Sequence, residues 1–409
     1  METVAPGARA AAAFGPVDRR PPVIEQQFPW KPVLGVFALV AVVLSVVVGL
    51  ASNSIIRAIP FLQGPVWLDG WFQFDAGWYY GIATGGYNYI PGQQSSIAFF
   101  PTYPMAVRGL GDLLGDYQAA GSVIGVGSGA AAVLLFGAWV WPRLPRAGAL
   151  TAIAVLMVYP FSLYLYGAMY ADSLFLLTAL GAFMLLERRM YWLAGLVGAL
   201  ATAGRPVGVA VAVGLVVRML ELVAQDRGAS GWRGIVGAIP AVRWREVGVG
   251  FSGVGLLAWT VYLWLVFGNP LAFVAVESAP GWDQGVGPHT WFKLTYLGTV
   301  VKGPYSIALV LTLQALACLA AVLLLRRVRR RFGWGYAAYA AVVLAIPILG
   351  TKDFMGTGRY VLVAFPVLAA AGEFLAARQG RWLRPVVLVT CAVLLIAMTV
   401  LYARGIEVS

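Results

Sequence analysis

Charge is scarce in this sequence. Of 409 residues, 11% are Asp, Glu, Lys or Arg against 60% hydrophobic, and the mean hydropathy is +0.80. A water-soluble fold cannot bury that much apolar side chain, so lipid must be the solvent. Histidine occurs once, His289, and cysteine twice, Cys318 and Cys391, both inside apolar runs. Neither a disulfide framework nor a thiolate metal site can be argued from them, and a lone histidine in a Gly-rich loop lacks companions for a metal. There is no Walker loop, no dinucleotide fingerprint and no internal repeat; Gly85-Gly86 merely follow Thr84 in an aromatic loop. The first thirty residues have no apolar core, which argues against a cleaved signal peptide and for a disordered cytosolic tail over 1–32.

What the sequence does have is long apolar runs. Residues 33–51, 247–267, 305–325, 360–377 and 385–402 are nearly charge-free and long enough to cross about 30 Å of hydrocarbon as helices. They do not alternate, so an outer-membrane barrel is excluded. Further spans are expected over 118–140, 147–163, 172–186, 190–204, 206–220 and 335–350. The expectation is an all-α integral membrane bundle of about eleven transmembrane helices, one domain over 33–409. With the N-terminus in the cytosol, 21 of the 29 Lys and Arg residues fall inside and 8 outside, as the positive-inside rule requires. The net charge of +12 then needs no nucleic acid, and the run Arg326 to Arg331 reads as an anchor beside anionic lipid headgroups.

Two outer loops stand out. The first, 52–117, is dense in Trp, Tyr and Phe, which suits interfacial helices; the second is 268–303. The arms 190–204 and 206–220 are short, so their tip, Gly204-Arg205-Pro206, should lie sunk in the outer half of the membrane. Asp69, Asp75, Asp172, Arg205, Glu277, Asp283, Asp353 and Arg359 all collect on the outer face. Ionisable groups at membrane depth need a partner or a task. Asp75 in FDAGW reads either as a desolvated general base or as a helix N-cap. Arg205 can meet a phosphate bidentately, or form an interhelical salt bridge to Asp172 or Asp75. Arg359 opens a helix, a poor place for a cation, so an anion belongs nearby, and Tyr360 can add a hydrogen bond. Asp172, at the outer start of a helix, has capping as its plainer reading.

FDAGWYYGIATGGYNY followed by SSIAFFPTYP resembles the first outer loop of the PIG-V-like mannosyltransferases. YADSLFLLTALGAF, WLAGLVGALATAGRPVG, FGNPLAFVAVE and GRYVLVAFPVLAA match further segments of that family in order, between about 67 and 377. Asp172 stands where the family more often has Glu, and Asn269 where it has Asp. The resemblance implies a GT-C fold and inverting transfer of mannose, at the outer face, from a polyprenyl phosphate to a glycolipid, glycan or protein. It implies Asp75 as base and Arg205 and Arg359 as phosphate or substrate ligands; Tyr360, Asp172, Trp78 and Tyr79 are further candidate substrate-binding residues. No cofactor is expected beyond the lipid-linked donor, because two guanidinium groups can neutralise a phosphomonoester. The expected location is a bacterial inner membrane with the site toward the periplasm.

Two rivals remain. A transporter or lipid flippase would line a pathway with its buried charges and show inverted repeats, whereas these charges favour one face. An O-antigen ligase or polymerase would depend on a large later loop rich in Arg and His, but 268–303 offers only Lys293, Lys302 and His289.

Overall fold

The computed structural model describes residues 27–52, 61–62, 64–285, 287–377 and 382–408. Most of the expected disordered tail, 1–26, lies outside the described residues, as do Arg9, Arg19, Arg20, Arg57, Arg378 and Arg381 from the loop-charge count. The described chain is helical, with no strand among the described residues. Its principal helices are α1 (Trp30–Ala51), α2 (Ala76–Gly85), α3 (Thr102–Leu114), α4 (Tyr117–Val140), α5 (Arg146–Val158), α6 (Asp172–Glu187) and α7 (Tyr191–Thr202). They continue as α8 (Val209–Asp226), α9 (Val254–Phe267), α10 (Tyr305–Phe332), α11 (Trp334–Gly350), α12 (Thr357–Val363), α13 (Phe365–Ala376) and α14 (Leu383–Ala403).

The exposed side chains show what surrounds the bundle. Leu50 is 76% exposed, Leu265 75% and Leu323 70%, and helices apolar on every side are stable only against lipid. This is an integral membrane protein. Among the described residues, six helices are long and apolar enough to cross a membrane alone: α1, α4, Pro206–Asp226 including α8, Trp244–Phe267 including α9, α10 and α14. The other expected spans are helices too, but α5, α6, α7 and α11 have 13, 16, 12 and 17 residues. At 1.5 Å per residue they fall short of the hydrocarbon thickness.

One expected span is corrected. Residues 360–377 do not form a straight helix; α12 and α13 meet at a bend of 78°. Pro366 sits in the first turn of α13 and cannot donate to the carbonyl four residues back, which breaks the ladder. The Tyr339 hydroxyl donates to the Val363 carbonyl at the break (2.7 Å), so the bend leaves that group satisfied.

Small residues let these helices close on one another. A Cβ on Gly372 of α13 would lie 2.2 Å from the Ala152 Cα of α5, so only glycine permits that crossing. Two apolar clusters result. The larger fills the bundle. The smaller, built on Ile97, Phe100, Trp259, Leu263, Ala272 and Val276, binds both outer loops to α9. Phe99 and Glu277, next to its members Phe100 and Val276, line one cavity.

Candidate active site

Asp75 precedes α2 at the N-cap position, yet its side chain caps nothing. Phe74 before it has φ of 52°, a left-handed conformation costing a non-glycine residue about 1 kcal/mol or more. Tyrosine hydroxyls hold the strained turn. Tyr170 accepts from the Asp75 backbone N–H (3.1 Å), and Tyr402, from the last helix, donates to the Trp71 carbonyl (3.1 Å). The freed carboxylate instead receives Arg359 Nη1 on Oδ2 at 3.0 Å.

Arg359 lies in the first turn of α12, where helix N–H groups repel a cation. Its backbone is locked from both sides. The neighbouring Gly358 N–H donates to Gln314 Oε1 (3.0 Å) and its carbonyl accepts from Tyr159 (3.1 Å). A side chain at 358 would strike Phe161, 2.4 Å from the Cβ position. The guanidinium packs over the rings of Tyr170 (4.9 Å) and Tyr164 (5.3 Å), which favour a cation electrostatically. The α6 start supplies the second pair. Asp172 occupies the first turn, where the helix dipole welcomes an anion, and its Oδ1 accepts from Arg205 Nη1. Arg205, in extended conformation at the tip between α7 and α8, rests over the Tyr360 ring at 4.7 Å. Thr102 fastens that tip by donating to the Leu200 and Ala203 carbonyls (2.8 and 3.0 Å).

Asp75, Arg205, Arg359, Tyr360 and Tyr79 therefore line one cavity of about 130 Å³. Asp172 lies behind Arg205, with Oδ2 3.9 Å from Arg359 Nη1. Trp78 acts at one remove, stacked on Phe99 (5.7 Å) and edge-on to Trp282 (5.9 Å), both of which line the cavity. The interhelical pairing weighed for Arg205 is present, with Asp172 as partner; the capping weighed for Asp75 and Asp172 is not.

The four charges balance in sign and differ in access. Side-chain exposure is 1% for Asp172, 7% for Arg205 and 12% for Arg359, but 30% for Asp75, so the carboxylate that can meet a solute is Asp75. Among the described residues, the buried atoms Asp172 Oδ2 and Arg359 Nε have no hydrogen-bond partner. Of the other outer-face acids, Glu277 lines the same cavity, whereas Asp69, Asp353 and Asp283 do not. Asp69 accepts from Gln118 (2.9 Å), Asp353 from the Met355 N–H (2.8 Å), and Asp283 pairs with Lys352 (3.0 Å).

Sequence reasoning missed Glu277, Trp282 and Gln284 as cavity residues and Tyr402 as a clamp. Glu277 closes the segment FGNPLAFVAVE, a signal that was available. Tyr402 sits in an unremarkable apolar run, and nothing local marks it. Next to this cavity lies a second of about 280 Å³, walled by Val207, Phe273, Val274, Ile346 and Pro347 and sharing Glu277, Gln284 and Tyr360 with the first. An ionic cavity thus opens beside an apolar one, an arrangement suited to an amphiphile with an anionic head.

No protein-family model matches the chain, and no curated protein does. Among solved structures it is similar to the apo oligosaccharyltransferase of Archaeoglobus fulgidus, with 13% identity over 94% of this chain and 56% of that one and a TM-score of 0.45. It is also similar to the archaeal oligosaccharyltransferase AglB of Archaeoglobus fulgidus in complex with an inhibitory peptide and a dolichol-phosphate, with 13% identity, 92% and 56% coverage and a TM-score of 0.46. The chain spans just over half the length of these structures.

Proposed function

We propose that this protein is an inverting glycosyltransferase of the GT-C type that moves mannose from a polyprenyl phosphate to a glycolipid, glycan or protein acceptor. One observation carries the reading: Asp75, Arg205 and Arg359 line a single cavity, which shares lining residues with an adjoining, more apolar one. The collinear PIG-V-like segments support the choice of sugar and carrier. The loop-charge pattern supports a bacterial inner membrane with the cavity toward the periplasm.

The charges balance through the reaction. Asp75 accepts the proton of the acceptor hydroxyl as that oxygen attacks the anomeric carbon, and the bond from that carbon to the phosphate oxygen breaks. The donor is a phosphodiester with one negative charge, and the departing lipid phosphate carries a second. Protonation of Asp75 releases Arg359 from its 3.0 Å ion pair as this charge appears, so the guanidinium turns to the leaving group. Arg205, held by Asp172, gives the phosphate a fixed second cation. Tyr79 and Tyr360 border the reacting centre, and Trp78 braces the aromatic wall.

Membranes containing the protein are offered radiolabelled polyprenyl-phosphate mannose and, separately, polyprenyl-phosphate glucose, after which labelled lipid and protein are extracted. Label is expected from the mannose donor. Absence of transfer from either donor to any extracted acceptor class sinks the reading.

A further inference from the structure

The cavity carries a second carboxylate, Glu277, to which the reaction above gives no task. Glu277 belongs to the short turn Val276–Ser278, is half-buried, and sits on the seam between the ionic and the apolar cavity. Gln284 shares that seam, and its backbone N–H donates to the Glu277 carbonyl (2.8 Å), so one closed loop carries both side chains. Between them Trp282 lines the ionic cavity, 6.1 Å from the Phe99 ring. Asp75, Asp172 and Asp283 around the site are each paired with Arg or Lys, whereas Glu277 has no ion pair among the described residues.

These features narrow the chemistry of what Glu277 meets. An anion would face both Glu277 and Asp75, and a cation would face Arg205 and Arg359. A neutral polyhydroxylated ring faces neither penalty. Its hydroxyls donate and accept, matching a carboxyl and a carboxamide on one wall, and its C–H face packs on an indole. Burial and the nearby Asp75 carboxylate push the Glu277 carboxyl up to about 7. A hydroxyl pairs with either the charged or the neutral form of a carboxyl.

We propose that Glu277, with Gln284, recognises the hydroxyls of the sugar on the lipid phosphate and so sets which hexose is transferred. The inference rests on the donor assignment made above and adds a specificity-determining residue to it. A sugar lacking the matching hydroxyl leaves a buried polar group unpaired, the situation in which sites discriminate most strongly.

The test separates the two claims by measuring binding of short-chain polyprenyl phosphate and of its mannose ester to the purified full chain in nanodiscs, for wild type, Glu277→Gln and Glu277→Ala. In wild type the ratio of the two affinities, which sets the extra charge of the bare phosphate against the contacts of the sugar, is the reference. Glu277→Ala should shift that ratio about 10- to 100-fold against the mannose ester while its affinity for the bare carrier stays within about twofold, and Glu277→Gln should fall between. If wild type binds both ligands and Glu277→Ala keeps the wild-type ratio, this inference fails and the donor assignment stands. Equal loss of both ligands in the two variants overturns it as well. If wild type binds neither ligand, the donor assignment fails and takes the inference with it.

Discussion

Asp172 and Glu187 are the first and last residues of the same helix, α6, and their surroundings differ in one respect. At the Glu187 end, Arg218 donates to both carboxylate oxygens (2.8 and 3.1 Å), Tyr336 adds a third bond (2.9 Å), and Arg143 stands at 3.5 Å. Glu221 accepts from Arg218 (2.9 Å) and from the Trp334 N–H (3.1 Å), so the network closes and clamps α6, α8 and α11 together. At the Asp172 end the residue types are the same, two acids, two arginines and ringed tyrosines. There one carboxylate oxygen and one guanidinium nitrogen have no hydrogen-bond partner among the described residues, and the assembly borders a cavity. Closure is what a structural network achieves, because an unmade buried hydrogen bond costs about 1 to 3 kcal/mol. The Asp172 end is set apart by Asp75, Arg205 and Arg359, which line a cavity, whereas the Glu187 end ties helices to one another.

Substitutions at the two ends should separate accordingly. Asp75→Asn is expected to reduce mannose transfer by about 10³-fold or more with the protein still monodisperse, measured by the radiolabel assay; near-normal turnover would remove the mechanism. Arg359→Lys keeps the charge but loses the planar fork, and transfer should fall about 100-fold, with weaker retention of polyprenyl phosphate as a second readout. Glu187→Ala takes the carboxylate from beside Arg143 and leaves Arg218 with Glu221 alone, and should cost about 2 kcal/mol of stability. That appears as a lower melting temperature in detergent, with transfer per folded molecule within about twofold of wild type; a large fall in turnover would break the contrast between the ends. Tyr402→Phe removes one hydrogen bond from the turn that carries Asp75 and should slow transfer about fivefold to tenfold, detectable in kcat at saturating donor.

Much of this arrangement was legible in the sequence, and the reasons mark where legibility stops. Hydropathy located α1, α4 to α11 and α14, because lipid forces backbone groups to pair within the segment, and it read α12 and α13 as one span. The rarity of charge in apolar surroundings made Asp75, Arg205 and Arg359 conspicuous before their positions were known. Their pairing is another matter: Asp75 and Arg359 are 284 residues apart, and no local periodicity encodes such a contact. The bend before α13 was written in Pro366, but an apolar run of suitable length concealed it. Gly248, Gly250 and Gly253 likewise preceded α9 with a 3-10 stretch, Gly248–Gly253, inside what reads as a plain span. Glu277 was visible as an outer-face acid, and only the meeting of the two outer loops in the small apolar cluster gives it a cavity to face.

The break between α12 and α13 makes α12 a separate rod of seven residues, and the bonds that hold Gly358 from both sides pin its outer end. In the reaction proposed above, Arg359 therefore exchanges partners by turning its own side chain. A movement of about 1 Å at the guanidinium, the scale at which misplacement costs about 100-fold in rate, passes the cation from a resident carboxylate to a visiting anion without any spanning helix having to shift in the bilayer.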